Sequence, residues 1–158
     1  MESLEREPLA FGASYKEEAS KPDSYWKDFL VRSNNPEGNS LILFAEVNGK
    51  LVGRGIVYFG IPEKFKHIAR FSGIYVKKEY RGQGIAKALF SAKIDAAFAH
   101  PGIEKIKLVV NTTQKAAVKL YSSLGFQKVG LLRKEFKIDE NCYNAYLMEL
   151  LRENYKKA

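Results

Sequence analysis

The chain has 158 residues, of which 46% are hydrophobic and 28% are charged. That length fits one domain over residues 1–158, and the composition excludes collagen-like, disulfide-stapled and fully disordered proteins. The 26 Lys and Arg residues outnumber the 18 Asp and Glu residues and give a net charge of +8. This charge favours phosphate-rich or other polyanionic partners.

The composition also bears on location and on metal binding. No apolar run approaches the roughly 18 residues that a membrane helix needs, and the N-terminus lacks the apolar segment of a secretory signal. We therefore expect a cytoplasmic protein without a membrane partner. One cysteine, Cys142, and two histidines predict neither an intramolecular disulfide nor a metal site.

The first third of the chain predicts a helix and two strands after an atypical N-terminal segment, residues 1–21. A helix is predicted over Ser24–Ser33, with Asp23 as its cap and an apolar stripe of aromatic residues. Strands over 41–47 and 51–59 flank Asn48-Gly49, the dipeptide that a type I′ hairpin turn favours.

The rest of the chain alternates strands and helices. A third strand is predicted over 68–76, and then a helix over 84–99, whose inward stripe would be Ile85, Leu89, Ala92, Ala96 and Ala99. A short strand over 106–110 precedes a second long helix near 116–124, and the final strands cover 126–138 and 143–151. This order predicts a single α/β domain with a mixed sheet.

The segment between the third predicted strand and the following helix is the most informative about function. It reads Arg81-Gly82-Gln83-Gly84-Ile85-Ala86-Lys87. A helix N-terminus presents unpaired amides and a partial positive charge, so it binds anions when no acidic side chain occupies it. No Asp or Glu lies between Arg81 and Lys93, and Gly82 and Gly84 let the backbone approach a ligand. The segment therefore predicts a pyrophosphate site.

Two well-known phosphate motifs do not match this segment. The dinucleotide fingerprint needs a third glycine where this chain has Lys87, and an acidic residue on a second strand. The P-loop pattern Gly-x-x-x-x-Gly-Lys-Ser/Thr occurs nowhere in the sequence. These departures argue against a Rossmann dehydrogenase and a P-loop nucleoside triphosphatase. A simple glycine turn between strand and helix is the structural alternative.

The same segment resembles motif A of the GNAT superfamily of acyl-CoA N-acyltransferases, Gln/Arg-x-x-Gly-x-Gly/Ala. A second block downstream is similar to another element of that family, and it reads Ala117-Val118-Lys119-Leu120-Tyr121-Ser122-Ser123-Leu124-Gly125-Phe126. The last predicted strand, from Tyr143, also looks like the family's last strand. Two motifs in the family's order are far more specific than either alone, and the resemblance covers about residues 41–151.

The resemblance implies a GNAT-like fold of class α/β. We expect a mixed, mostly antiparallel sheet of about six strands flanked by helices, in which the strand ending at Val76 splays from the strand starting near Ile106. The family usually opens with one more strand, whereas Leu4–Phe11 contains Pro8 and alternates poorly. Either that first edge strand is missing or the chain begins inside the usual domain. An exposed sheet edge would offer a pairing surface to a second copy of the chain, so a homodimer is one alternative.

The resemblance also implies acetyl-CoA as co-substrate and an amine as acceptor. It places the pantetheine arm against the backbone of Ile74 and Val76, with Asn111 beside that arm or at the start of the next helix. Tyr121 would be the general acid that protonates the leaving thiolate. The alternative interpretation is that Tyr121 only packs in the core, on an apolar helix face. The pyrophosphate would contact Arg81, Gly82, Gln83, Gly84, Ile85, Ala86 and Lys87.

The general base is left open. Many family members carry a glutamate on the strand before motif A, where this sequence has Arg70. Arg70 would attract an acidic substrate or pair with a structural carboxylate, and we favour the pairing. Candidate substitutes without a positional argument are Glu46, Glu79, Glu135 and His67.

We therefore predict an acetyl-CoA-dependent N-acetyltransferase that acts on an amine of a small molecule or a protein. The missing carboxylate supports one alternative, a non-catalytic acyl-CoA-binding regulatory module. A basic nucleic-acid-binding domain is the least favoured alternative, because the sequence has no recognisable DNA-reading helix or RNA motif. The basic surface argues mildly against cationic acceptors such as polyamines.

Overall fold

The computed structural model describes residues 2–35, 38–60 and 62–156. The α-helices in these residues are α1 Glu2–Arg6, α2 Tyr15–Ala19, α3 Asp23–Ser33, α4 Ile85–Ala99 and α5 Lys115–Ser123. The strands are β1 Ser40–Val47, β2 Lys50–Phe59, β3 Ile68–Val76, β4 Lys105–Asn111, β5 Gln127–Ile138 and β6 Asn141–Leu151. None of the helices in these residues is long and apolar enough to cross a membrane.

The strands form one six-stranded sheet in the order β1-β2-β3-β4-β6-β5. Every neighbouring pair is antiparallel except β3 and β4, which run parallel. The hairpin between β1 and β2 turns through Asn48 at φ 50° and Gly49 at φ 74°, the left-handed pair that a type I′ turn requires. The predicted fold class is confirmed.

The two central strands separate part-way along their length. The pairing of β3 with β4 runs from Ile68 opposite Lys105 to Phe71 opposite Leu108. Beyond Phe71, β3 continues to Val76 paired with β2 alone, while β4 continues to Asn111 paired with β6. This separation is the predicted splay, and it opens a cleft between the two strand ends.

Helix α4 forms where it was predicted, but its predicted inward stripe was partly wrong. Ala92 and Ala99 are exposed. The ring of Phe90 instead packs against Phe71 in the sheet, with 5.3 Å between centroids. Large side chains fill the space between helix and sheet better than alanine does, so they set the rotation of the helix. The buried face consists of Leu89, Phe90, Lys93, Ile94, Ala97 and Phe98.

The N-terminal segment is helical and packs on the sheet. Residues 2–35 contain no strand, so within the described residues β1 forms one edge of the sheet. Ser3 is buried, and its Oγ accepts a hydrogen bond from Arg54 Nη2 on β2 at 3.3 Å. Helix α3 begins at Asp23 after Pro22, so the prediction that Asp23 caps it from outside was wrong.

Candidate active site

The splay opens a cleft of about 970 Å³. Its walls are the diverging ends of β3 and β4, the start of α4, one face of α5, and the N-terminal segment from Glu7 to Gly12. This volume is at the upper end of the range that small-molecule and cofactor sites occupy. The cleft is therefore large enough for a ligand of coenzyme size that remains partly in solvent.

The loop before α4 brings open backbone amides to the mouth of the cleft. Gly82 and Gly84 adopt φ values of 76° and 78°, a left-handed conformation that favours glycine. Gly84 is the N-cap of α4 and provides no side-chain hydrogen bond to the helix amides. A Cβ at either glycine would meet no described atom within 4 Å. Gly82, Gly84, Ile85, Ala86 and Lys87 all line the cleft.

Two members of the predicted loop set direct their side chains elsewhere. The Arg81 guanidinium donates from Nε to the Val76 carbonyl at 3.0 Å and from Nη1 to Glu7 Oε1 at 2.8 Å. The Gln83 amide donates to the Glu79 carbonyl at 3.4 Å, and Gln83 is outside the cleft lining. Arg81 lines the cleft, but its charge is already paired.

The end of β3 presents backbone groups to the cleft. The Lys77 amide donates to the Val52 carbonyl on β2 at 2.8 Å, and Tyr75 lies opposite Arg54. Because backbone groups alternate in direction along a strand, the amide and carbonyl groups of Ile74 and Val76 point away from β2. They point toward the cleft, where the pantetheine arm was predicted to lie.

Asn111 shapes the turn before α5 and also lines the cleft. It lies at the end of β4 and is only 2% exposed. Its Oδ1 accepts hydrogen bonds from the amide and the Oγ1 of Thr113, both at 2.9 Å, so the side chain shapes the turn before α5. Its Nδ2 is buried and has no hydrogen-bond partner among the described residues. Since Asn111 lines the cleft, this donor is available to a ligand carbonyl.

Tyr121 lies on α5 against the aromatic core. Its ring stacks on Phe90 with 4.6 Å between centroids, and only 6% of the residue is exposed. Burial raises the pKa of the Tyr121 hydroxyl to about 12, so the group stays protonated at neutral pH. Tyr121 lines the cleft, which places it both in the core and at the site.

Lys93 is a buried cation directly beneath β3. Its Nζ donates to the Ser72 carbonyl at 3.2 Å and lies 4.4 Å from the Phe71 ring centroid. A Cβ at Gly55 on β2 would approach Lys93 Cδ to 2.6 Å, so the glycine leaves room for the lysine chain. Burial lowers the pKa of Lys93 to about 7, which means that the charged form is costly here.

The candidate bases named from the sequence lie outside the cleft. Glu46, Glu79, Glu135 and His67 are absent from its lining, whereas Arg70 is part of it. Arg70 forms no ion pair with a carboxylate in the described part of the chain, so the favoured structural pairing was wrong. Among residues 2–35, 38–60 and 62–156, no group of three or more metal-ligating side chains could hold an ion.

The comparison with known protein families decides the classification. The family described as Acetyltransferase (GNAT) family matches residues 3–126. The chain belongs to this family. Its relatives include N-alpha-acetyltransferase RimI of Mycobacterium tuberculosis, which is 29% identical over 147 residues, 86% of this chain and 89% of that protein. The chain is therefore an acyltransferase of the N-acetyltransferase type.

Solved structures of acetyltransferases share the fold. The acetyltransferase of the GNAT family from Streptococcus pneumoniae superimposes with a TM-score of 0.82 at 25% identity, over 94% of this chain and 87% of that one. The spermidine N-acetyltransferase of Vibrio cholerae, in complex with CoA and spermine, gives a TM-score of 0.76 at 21% identity, over 97% and 87% of the two chains. The sheet and its splay are those of GNAT enzymes.

Several polar residues of this GNAT cleft were missed from the sequence, among them Glu7, Lys93, Tyr58 and Lys107. Glu7 is the carboxylate that pairs with Arg81, and nothing local in the N-terminal segment indicates that it folds across the phosphate loop. Lys93 could have been found, because residues 89, 90, 93, 94 and 97 have helical spacing. A lysine in the middle of that apolar stripe is the signal of a buried cation.

Proposed function

We propose that the cleft binds acetyl-CoA and that the acetyl group passes directly to an amine in a ternary complex. One observation carries the proposal. The uncapped start of α4, at Gly84, lies at the mouth of the cleft formed where β3 and β4 separate. Pyrophosphate suits the helix N-terminus, and a long polar arm suits the exposed strand backbone.

The phosphate contacts come mainly from the backbone. Gly82, Gly84, Ile85 and Ala86 line the cleft and would offer their amides, and the Lys87 side chain adds a positive charge in the first turn of α4. The Arg81 guanidinium is held by Glu7 and the Val76 carbonyl. Arg81 therefore supports the loop, and its contribution to phosphate binding comes through its main chain.

The pantetheine arm carries two amides, which need hydrogen-bond partners once they leave water. The backbone of Ile74 and the amide of Val76 supply partners along β3, while the Val76 carbonyl already accepts from Arg81 Nε. Asn111 Nδ2 supplies a donor from β4, on the opposite wall. A ligand carbonyl bonded to this amide would satisfy a buried polar group that has no partner within the described residues.

The reaction requires that the two reactants be positioned and that three protons be moved. The amine nitrogen attacks the thioester carbonyl, the new N–C bond forms, and the C–S bond breaks. Holding both reactants in line supplies much of the rate, and a β3 amide near Ile74 polarises the carbonyl oxygen. Tyr121 donates its proton to the leaving thiolate, and its raised pKa keeps that proton in place beforehand. The acceptor ammonium loses one proton to water before it attacks. The nitrogen loses a second proton as the amide forms, and this proton restores the hydroxyl of Tyr121.

The charges in the cleft narrow the class of acceptor. Its lining includes Arg70, Arg81, Lys87, Lys93 and Lys107 against the single carboxylate of Glu7 among the described residues, and Glu7 is paired with Arg81. A polyamine would bring further positive charges into this surface. We therefore favour as acceptor an amine on a neutral or acidic small molecule or protein, and we disfavour a polyamine. The cytoplasmic location and the homodimer stay predictions.

Product formation tests the proposal. The purified chain is incubated with acetyl-CoA and a panel of amines, and mass spectrometry follows acetylated product while a thiol reagent measures released CoA. We expect one acetylated amine for each CoA released. Binding of acetyl-CoA without any acetylated amine would instead indicate the regulatory module, and absence of binding would remove both.

A further inference from the structure

Three side chains form a row across the sheet at the inner end of the cleft. Tyr58 on β2 is in register with Arg70 on β3, and Arg70 is in register with Lys107 on β4. All three line the cleft. Residues in register on neighbouring strands point to the same face. The flanking Ala69 and Phe71 are buried against α4, so the row faces the opposite side of the sheet.

The row carries positive charge that the fold does not neutralise. Like charges in facing positions repel, and burial together with Arg70 and Lys105 lowers the pKa of Lys107. Glu149 on β6 lies opposite Lys107 in register, but its carboxylate pairs with Lys105. Neither Arg70 nor Lys107 forms an ion pair within 4 Å in the part of the chain that the structure describes. Two adjacent cations without a counterion are suited to bind an anionic ligand.

The row lies next to the point where chemistry would occur. The last paired position of β3 and β4 is Phe71 opposite Leu108, one residue beyond the row. One residue of strand spans about 3.3 Å, so Arg70 and Lys107 flank the apex of the splay. An attacking nitrogen must come within about 3–3.5 Å of the thioester carbon. A group bound by the row is therefore only a short distance from that nitrogen.

We propose that Arg70 and Lys107 form an anion site for the acceptor, and that the acceptor is a small amine of the α- or β-amino acid type. Its carboxylate would accept two hydrogen bonds from the planar Arg70 guanidinium and one from Lys107. Tyr58, whose pKa is raised by burial, keeps a hydroxyl proton that it donates from the other side. This inference rests on the proposed acetyl transfer and deepens it by naming the acceptor class.

Matched acceptors test the inference. Common L-amino acids and their carboxamides offer the same side chain and an amine on the same carbon, and differ in the carboxylate. We expect kcat/KM to favour the acid over its amide by roughly 10–100-fold, the range for losing charged hydrogen bonds. Arg70→Gln and Lys107→Gln should each remove most of that preference, chiefly through KM, and Arg70→Glu should reverse it.

A double variant provides the matched control. Lys105→Gln with Glu149→Gln removes a complete ion pair next to the row and leaves Arg70 and Lys107 in place. We expect this variant to keep the acid preference. The inference is overturned if the unaltered enzyme acetylates amides or polyamines as well as it acetylates acids, or if Arg70→Gln retains the preference.

The two proposals fail in different ways. Efficient acetylation of amines without any carboxylate preference would remove the anion site and leave the acetyl transfer intact. An enzyme that acetylates no amine and releases no CoA would remove the acetyl transfer itself, and the acceptor site with it. Melting curves of each variant show whether a loss of activity reflects unfolding.

Discussion

The donor half and the acceptor half of the cleft are built from different material. The donor half consists of backbone amides at the start of α4 and along the end of β3, together with one buried amide side chain, Asn111. The acceptor half consists of charged and aromatic side chains on three strands and on the N-terminal segment. Backbone amides and carbonyls offer the same hydrogen bonds in any sequence that adopts the turn. Side chains on the strands can be substituted one at a time without disturbing that backbone.

This difference separates the shared chemistry from the specificity. In the proposed arrangement, the coenzyme common to the family is bound by a loop that needs only glycines and a helix start. The acceptor would be selected by side chains such as that of Arg70. The substitutions below test whether the two halves are as independent as their construction indicates.

The largest effect is expected at the phosphate loop. Gly84→Asp introduces strain at φ 78° and a negative charge where the pyrophosphate would lie, and it should weaken acetyl-CoA binding by at least about 100-fold. Acetyl-CoA at 100 times its Kd stabilises a binding protein by about 2.7 kcal/mol. We expect that thermal shift to disappear in the variant.

Gly102→Asp controls for strain. Gly102 has nearly the same φ, 75°, and lies outside the cleft lining. A Cβ added at Gly102 would meet no described atom within 4 Å. This variant should keep the acetyl-CoA shift. A Gly84→Asp protein that also keeps it would show that the donor half is elsewhere.

Tyr121→Phe should separate chemistry from binding. Removing the hydroxyl should lower kcat by about 100-fold and leave the Kd for acetyl-CoA nearly unchanged, because the ring still packs on Phe90. Tyr155→Phe is the control, since burial also raises the pKa of Tyr155 to about 12, while its hydroxyl donates to Asp95 outside the cleft. Steady-state rates decide, and an unaltered kcat in Tyr121→Phe would return this residue to the core alone.

Asn111→Ala should weaken the donor half more gently. Loss of one hydrogen bond to the pantetheine arm should raise the Kd for acetyl-CoA by about 5–10-fold. Thr113→Val removes one bond within the turn and keeps the Asn111 Nδ2 donor, so it should leave the Kd near that of the parent. Equal effects of the two changes in calorimetry would mean that Asn111 only shapes the turn.

The smallest effect on ligand binding is expected from Lys93→Met. This substitution tests how burial of Lys93 beneath β3 affects the stability of the fold. The pKa of Lys93 is about 7 in the folded chain, against 10.5 for an ordinary lysine. Between these two pH values the folded state therefore binds fewer protons than the unfolded state. The destabilisation of the fold by burial of Lys93 is largest below pH 7. Stability should rise with pH above 7 by up to about 1.4 kcal/mol per pH unit.

The methionine variant should lose that rise, because it has no proton to bind. Urea unfolding of both proteins from pH 7 to pH 10 measures the difference. Parallel curves would mean that Lys93 keeps an ordinary pKa and that its surroundings admit water.

The sequence predicted the elements well because their signals are local. The strand over residues 68–76 was predicted with its observed ends, and the Asn48-Gly49 turn adopts the expected conformation. The splay followed from the family resemblance, and the glycine spacing indicated the left-handed turn that precedes α4. These features depend on residues that are neighbours in the chain.

Contacts between residues far apart in the chain could not be predicted in the same way. Glu7 meets Arg81 across 74 positions of sequence, and this contact forms only when the N-terminal segment lies over the cleft. The partner of Arg70 was wrongly predicted as a structural carboxylate, because sheet register and not spacing decides which charges meet. The alanine-rich sequence of α4 is compatible with several buried faces. The large side chains of Phe90 and Phe98 determine which face packs on the sheet.

The central claim is that the amides before and at the start of α4 bind the pyrophosphate of acetyl-CoA. An amide NMR titration of the isotope-labelled chain with acetyl-CoA tests this most directly. We expect the largest shifts at Gly82, Gly84, Ile85 and Ala86, with smaller shifts at Ile74 and Val76. Saturable binding that leaves these amides unmoved, or no binding at millimolar acetyl-CoA, would contradict it.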